Sequence, residues 1–167
     1  MSENIEMKKT TQELLKEVSD WDENALKGAY NIREDSGCAA RKSTKNIKIE
    51  SKKDAPGIVI HISAETKGES VYIPACITHS GVDDLVYNDF MIEDGADVII
   101  IAGCGVHRFF VGKNAKVVYR EKHLGTGKSK GAKKIDPVTD IIMAENSYLE
   151  MDTTQLGGVS SSDRKTL

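Results

Sequence analysis

Glu93-Asp94-Gly95-Ala96-Asp97-Val98, Gly112-Lys113-Asn114-Ala115-Lys116-Val117 and Ala144-Glu145-Asn146-Ser147-Tyr148-Leu149 follow one pattern. In each, a Gly or Asn able to take positive φ precedes a small residue, a variable residue and the first aliphatic residue of an apolar run. Each reads as a tight corner that feeds a strand. The first two corners lie about 19 residues apart and the last two about 32, the excess matching the Gly- and Lys-rich stretch 125–137. Repeats of this length, each with a strand or two and a corner, predict an all-β solenoid, a β-helix, in which each coil buries its inner face by stacking on the next. A β-sandwich also supplies short strands, but it has no reason to repeat one corner chemistry.

The rest of the chain fits around that repeat. Ile47 and Ile49 alternate with polar residues, Ile58, Ile60 and Ile62 share a face, and Pro56-Gly57 separates the two runs. Further strands are expected at 71–73, 98–102, 117–119 and 148–151. Upstream, Thr10 and Glu13 form a capping box, and Leu14, Leu15 and Val18 follow at helical spacing towards Trp21, so a short amphipathic helix opens the chain. Residues 29–44 show no period and read as an irregular connection. The expected division is a helix and connection over 1–45 and a β core over 46–167. That core reads as incomplete at its C-terminal end, because 157–167 follow a strand with no capping element.

A chain of 167 residues with 39% apolar content suits one domain with a modest core. Its 26 acidic and 23 basic residues, net −3, give no general attraction to nucleic acid or anionic lipid. With no apolar leader and no long apolar run, a cytoplasmic protein without membrane contact is expected. Three cysteines, Cys38, Cys76 and Cys104, are odd in number and widely spaced, which suits reduced thiols.

Two segments read Cys-x-x-His: Cys76 with His79, and Cys104 with His107. Residues three apart point to opposite faces of a flat strand, so either pair converges only if the chain turns between them. Glycines stand beside both, at Gly81, Gly103 and Gly105. Thiolate plus imidazole suits zinc or an iron–sulfur cluster. Cys76 and His79 are thus candidate metal ligands, and Cys104 and His107 candidate holders of a cluster or persulfide; the competing reading makes all four ordinary residues of the β framework. Between the two glycines, Cys104 is expected to be accessible, with His107 placed to lower its pKa; Cys38 has no second ligand nearby. Gly127-Lys128-Ser129 resembles the end of a phosphate loop, but Lys122 stands where that loop needs Gly, so no nucleotide is expected on this chain. Lys128, Lys130, Lys133 and Lys134 make the same stretch basic. The acidic residues Asp83, Asp84, Asp89, Glu93, Asp94 and Asp97 are explained by turn chemistry, and no nucleophile motif is present, so the chain is not read as an enzyme.

Several blocks, in order, resemble the SufB/SufD family of iron–sulfur cluster assembly proteins, in particular its shorter members. They are 29–34, 81–90, 92–98, Ala102-Gly103-Cys104-Gly105-Val106-His107, 110–117 and 145–159. The resemblance implies that the fold is a right-handed parallel β-helix acting as a scaffold with a SufC-like ATPase, paired with a SufB/SufD-like subunit as a homo- or heterodimer and carrying an iron–sulfur cluster transiently. Members of the family extend well beyond the point equivalent to Leu167, and their better-supported cluster ligands lie in that extension, so those ligands are not carried over. Where they have a polar stretch between an A-G-C-G-[IV]-H segment and an H-x-F segment, Val106-His107-Arg108-Phe109 joins the two directly. His107 stands for either family histidine. A structural half-subunit that pairs with a full-length relative, without binding a cluster, is the alternative reading; a β-helical metalloenzyme is a third.

Overall fold

The computed structural model describes residues 8–18, 26–79, 81–125, 134–158 and 160–167. Trp21, the loop lysines Lys128, Lys130 and Lys133, and the Gly127-Lys128-Ser129 motif lie outside the described residues.

One helix, α1 (Lys9–Val18), is followed by β1 (Ala29–Glu34), β2 (Gly37–Lys42), β3 (Ile47–Ser51), β4 (Gly57–Ile62), β5 (Lys67–Ile73), β6 (Ala75–Cys76), β7 (Tyr87–Ile92) and β8 (Asp97–Ala102). Then come β9 (Val106–Val111), β10 (Lys116–His123), β11 (Lys134–Ile135), β12 (Val138–Met143), β13 (Tyr148–Gln155), β14 (Ser161–Ser162) and β15 (Lys165–Thr166). One sheet runs β13-β10-β8-β5-β1-β2, with β6 also paired to β1; the other runs β15-β12-β9-β7-β4-β3; β11 and β14 form a small third sheet. From β4 to β13 the chain alternates between the two large sheets, and neighbours within each sheet are parallel.

The expected right-handed parallel β-helix is not what forms. Both large sheets are mixed: β1 pairs antiparallel with β2, and β3 antiparallel with β4. The physical reason lies in the connections. Asp35 and Ser36 take φ of 49° and 70°, the two left-handed residues of a tight hairpin turn, so the stretch read as irregular doubles back on itself. A short link such as 52–56 between β3 and β4 likewise permits only antiparallel pairing, because a parallel return needs a longer crossover. The hairpin β1–β2 also joins the sheet of β5, β8, β10 and β13, so the N-terminal third of the chain shares the β architecture.

The three corners are where the repeat placed them. Gly95, Asn114 and Asn146 have φ of 75°, 56° and 56°. They stack through Gly95 N–H donating to Lys113 O (2.8 Å) and Asn114 N–H donating to Glu145 O (3.1 Å). The residues after them continue the ladder: Tyr148 N donates to Ala115 O, Lys116 N to Ala96 O and Asp97 N to Thr66 O. The last bond identifies a fourth corner, at Thr66, which lacks the Gly or Asn of the others. Ala96, Ala115 and Thr66 are buried, which accounts for the small residue in the pattern.

The core fills the space between the two large sheets. Ile58, Ile60 and Ile62 on β4, Phe90 and Ile92 on β7, Phe109 and Val111 on β9 face Val71 and Ile73, Val98 and Ile100, Val117 and Tyr119 from the other sheet. Phe90 stacks on Phe109 with ring centroids 4.6 Å apart, and Phe109 meets Tyr119 edge-on at 5.2 Å. A second cluster lies on the outer side, where Leu15 of α1 packs on Tyr30, Ile32, Tyr72 and Cys76. Leu14 also packs against this cluster, so α1 covers this part of the sheet with its apolar side. No helix among the described residues is long and apolar enough to cross a membrane.

Candidate functional site

Alternation along β10 sets the site. Val117 and Tyr119 point inward, and the same phase carries Glu121 and His123 into the interior, where side-chain exposure falls to 0% for Glu121. The expected strand over 117–119 stops short of these two residues; following its period to 123 is the signal that locates them. Opposite, the inward phases of β7, β9 and β12 bring Asn88, His107 and Thr139 into one rung. All three are buried. The interior is therefore apolar around Phe90, Phe109 and Tyr119 and polar at the end reached by Glu121 and His123.

Glu121 is held from two sides. Arg164, from the segment between β14 and β15, donates Nη2 to Glu121 Oε2 at 2.7 Å, and His123 Nε2 lies 2.9 Å from Glu121 Oε1. Burial pushes the Glu121 carboxyl up, but His123 and Arg164 outweigh it and hold the group below the usual carboxylate range. The backbone presents Arg164 through Asp163 N–H donating to Ile135 O and Lys165 N–H donating to Pro137 O.

Cys104 continues the inward phase of Val98, Ile100 and Ala102 just past β8. Gly103 beside it lies against the chain at Ala75, where a Cβ would fall 2.7 Å from the Ala75 nitrogen, so this bend has no space for a larger residue. The sulfur is only partly accessible. Burial, and then the charge of Glu121, push its thiol up to about 12. The expectation of an accessible Cys104 activated by His107 is thus corrected: the small neighbours are used for close backbone packing and leave no opening.

His107 is fully buried on β9. The chain does turn between Cys104, in the bend after β8, and His107 on β9, but the ring is committed elsewhere. Its Nε2 lies 2.9 Å from Gly103 O, to which it donates, and Nδ1 accepts from Asn88 Nδ2 at 3.4 Å. Burial lowers its pKa, so the imidazole is neutral and cannot stabilise a thiolate by charge.

Cys76 and His79 do not converge. Cys76 lies under α1 in the outer cluster, and burial pushes its thiol up to about 12. His79 is 62% exposed and has Nδ1 3.5 Å from Asp35 Oδ1. Asp35 is itself taken by Lys8 (2.7 Å) and by the Thr78 backbone N–H and hydroxyl (2.7 Å each), a staple tying the β1–β2 turn to the loop after β6. Cys38 is exposed on β2. Among the described residues, no three His, Cys, Asp or Glu side chains are arranged to hold a metal ion.

The acidic residues make structural contacts, but Asp89 and Asp97 lie on β7 and β8, so turn chemistry does not account for them. Asp84 pairs with Arg33, Asp89 takes Arg108 at 2.7 and 2.8 Å and also Lys52, and Asp94 accepts the Lys113 N–H at 2.8 Å. On the outer face of the second sheet, Met91, Phe110, Ile142 and Met143 line an apolar groove of about 360 Å³ with His61 and Glu93 at its margin. None of the four cysteine and histidine candidates faces it.

No family model matches the chain, and neither a curated protein nor a solved structure matches it.

Proposed function

We propose that this chain is a non-catalytic scaffold subunit in iron–sulfur cluster assembly, working with a SufC-like ATPase and a SufB/SufD-like partner. The observation that carries the reading is a half-buried Cys104 just past β8 and within the field of the Glu121 carboxylate, which His123 and Arg164 hold at the polar end of an otherwise apolar interior. A thiol, a carboxylate and an imidazole are the donor types that iron and sulfide accept. One of the sequence blocks that resemble the SufB/SufD proteins contains Cys104. A protonated thiol must lose its proton before it ligates iron, so uptake by this site is slow at neutral pH and rises with pH. The cluster is cargo.

Anaerobic reconstitution with ferrous iron and sulfide tests the proposal. The wild-type protein is expected to gain visible absorbance and bound iron that Cys104→Ser loses and Cys38→Ser keeps. Full iron retention by Cys104→Ser sinks the assignment.

A second reading, a structural half-subunit that binds no cluster, is favoured by a different observation. Strand β13 is the outermost strand of its sheet and is largely exposed, and Leu149 and Met151 are only partly buried. An edge of this kind recruits another strand. That reading predicts no iron in the wild type or in any variant, with stable association with a full-length relative.

A further inference from the structure

The polar end of the interior holds more hydrogen-bonding capacity than the protein itself satisfies. Asn88, His107 and Thr139 form one rung of the second sheet, and Tyr119, Glu121 and His123 point inward from β10; all six are at least nine-tenths buried. They lie close together: the His107 and Tyr119 rings are 5.9 Å apart, centroid to centroid, and the Glu121 charge acts on both. His107 spends both ring nitrogens, on Gly103 and Asn88. Asn88 Oδ1 and Thr139 Oγ1 have no hydrogen-bond partner among the described residues, and the Tyr119 hydroxyl lies near the Glu121 carboxylate without a well-aligned bond to it. Glu121 Oε1 and His123 Nε2 are 2.9 Å apart but off the line that an N–H···O bond needs, so both fall short of full satisfaction.

Buried hydroxyl and amide groups without partners are rare in folded proteins, because each forfeits its hydration. Five such atoms from two facing sheets require a guest. Two of them, Asn88 Oδ1 and Glu121 Oε1, only accept, and the two hydroxyls give or take a bond. An anion meets the Glu121 carboxylate and is repelled. A small neutral molecule that both donates and accepts fits the set.

We propose that this end of the interior is an internal water site, in which ordered water bridges Asn88 Oδ1, Thr139 Oγ1, the Tyr119 hydroxyl and Glu121 Oε1. The inference stands apart from the scaffold reading and does not depend on it.

Thr139→Val separates a wet site from a dry one by the sign of its effect. Valine keeps the shape and removes the hydroxyl. In a wet site the water loses a partner and the melting temperature falls by about 2–4 °C. In a dry site the substitution removes an unsatisfied group, and the melting temperature holds or rises. Oxygen-17 magnetic relaxation dispersion of the water signal supplies an independent readout on the whole protein. The wild type is expected to show long-lived internal water, with a smaller amplitude in Thr139→Val; should that variant not fold, Tyr119→Phe is the second variant and is expected to show the same loss. A wild type with no long-lived water overturns the proposal. So does equal amplitude in the folded variant, or a variant at least as stable as the wild type.

Discussion

Replacing Arg164 by Met should destabilise the protein by about 2 kcal/mol at pH 7, and most of that cost should vanish in acid. Arg164 contributes a cationic contact to a carboxylate that is 0% exposed, while its own side chain is 30% exposed. Removing one partner from a fully buried ion pair costs about 3–5 kcal/mol. Two features reduce that figure here: Arg164 keeps part of its hydration, and His123 remains against the other carboxylate oxygen. A value of about 2 kcal/mol corresponds to a shift of about 1 M in the urea midpoint for an m-value near 2 kcal/mol/M, with m unchanged.

The pH dependence has a definite sign. In the wild type the Glu121 carboxyl sits below its ordinary value, so its contribution is present above the unfolded-state pKa and is lost as pH falls through the folded-state value. In the variant, burial is opposed only by His123, and Glu121 takes up a proton at a higher pH than in the wild type. The difference between the two proteins should therefore be full at pH 7 and shrink as pH is lowered through the carboxylate range. Urea denaturation at pH 7 and pH 4 measures it, and Glu121→Gln combined with Arg164→Met should recover most of the loss at pH 7. A penalty below about 0.5 kcal/mol, or one as large at pH 4 as at pH 7, would refute the reasoning.

Phe109→Ala should cost about 3–5 kcal/mol, since Phe109 is fully buried between Phe90 and Tyr119; a loss under about 1 kcal/mol by chemical denaturation would contradict the packing described. Asn114, at φ 56°, should tolerate Gly with little change in melting temperature, whereas Asn114→Val should lower it by several degrees; equal effects would mean that the left-handed corner is not what selects the residue. Cys38 should react with a disulfide reagent at pH 8 in the native protein well before Cys76 and Cys104, whose thiols are pushed up to about 12, and mass mapping of the labelled peptides reads the order. Faster labelling of Cys104 than of Cys38 would show that the sulfur is not shielded as described.

The corners at Gly95, Asn114 and Asn146 were legible because positive φ restricts the residue by local sterics, with no help from the rest of the fold. Short strands and the helix of Leu14, Leu15 and Val18 were legible for a related reason: period 2 and period 3.6 are properties of the local backbone. Sheet direction was not. Whether a strand lies parallel or antiparallel to its neighbour depends on which chain segment it meets, and the β1–β2 and β3–β4 hairpins turned a parallel expectation into two mixed sheets. The site divided in the same way. Cys104 and His107 drew attention as residue types at a familiar spacing, which left open whether the chain turns between them. That His107 is spent on Gly103 and Asn88, that Cys76 lies beneath α1 away from His79, and that Arg164 reaches Glu121 from 43 residues away depend on which surfaces stack on which. Local rules determine the conformation of a corner or a strand; burial, which governs the Cys104 thiol and the Glu121 carboxylate, is a property of the packed sheets and exists only once they have met.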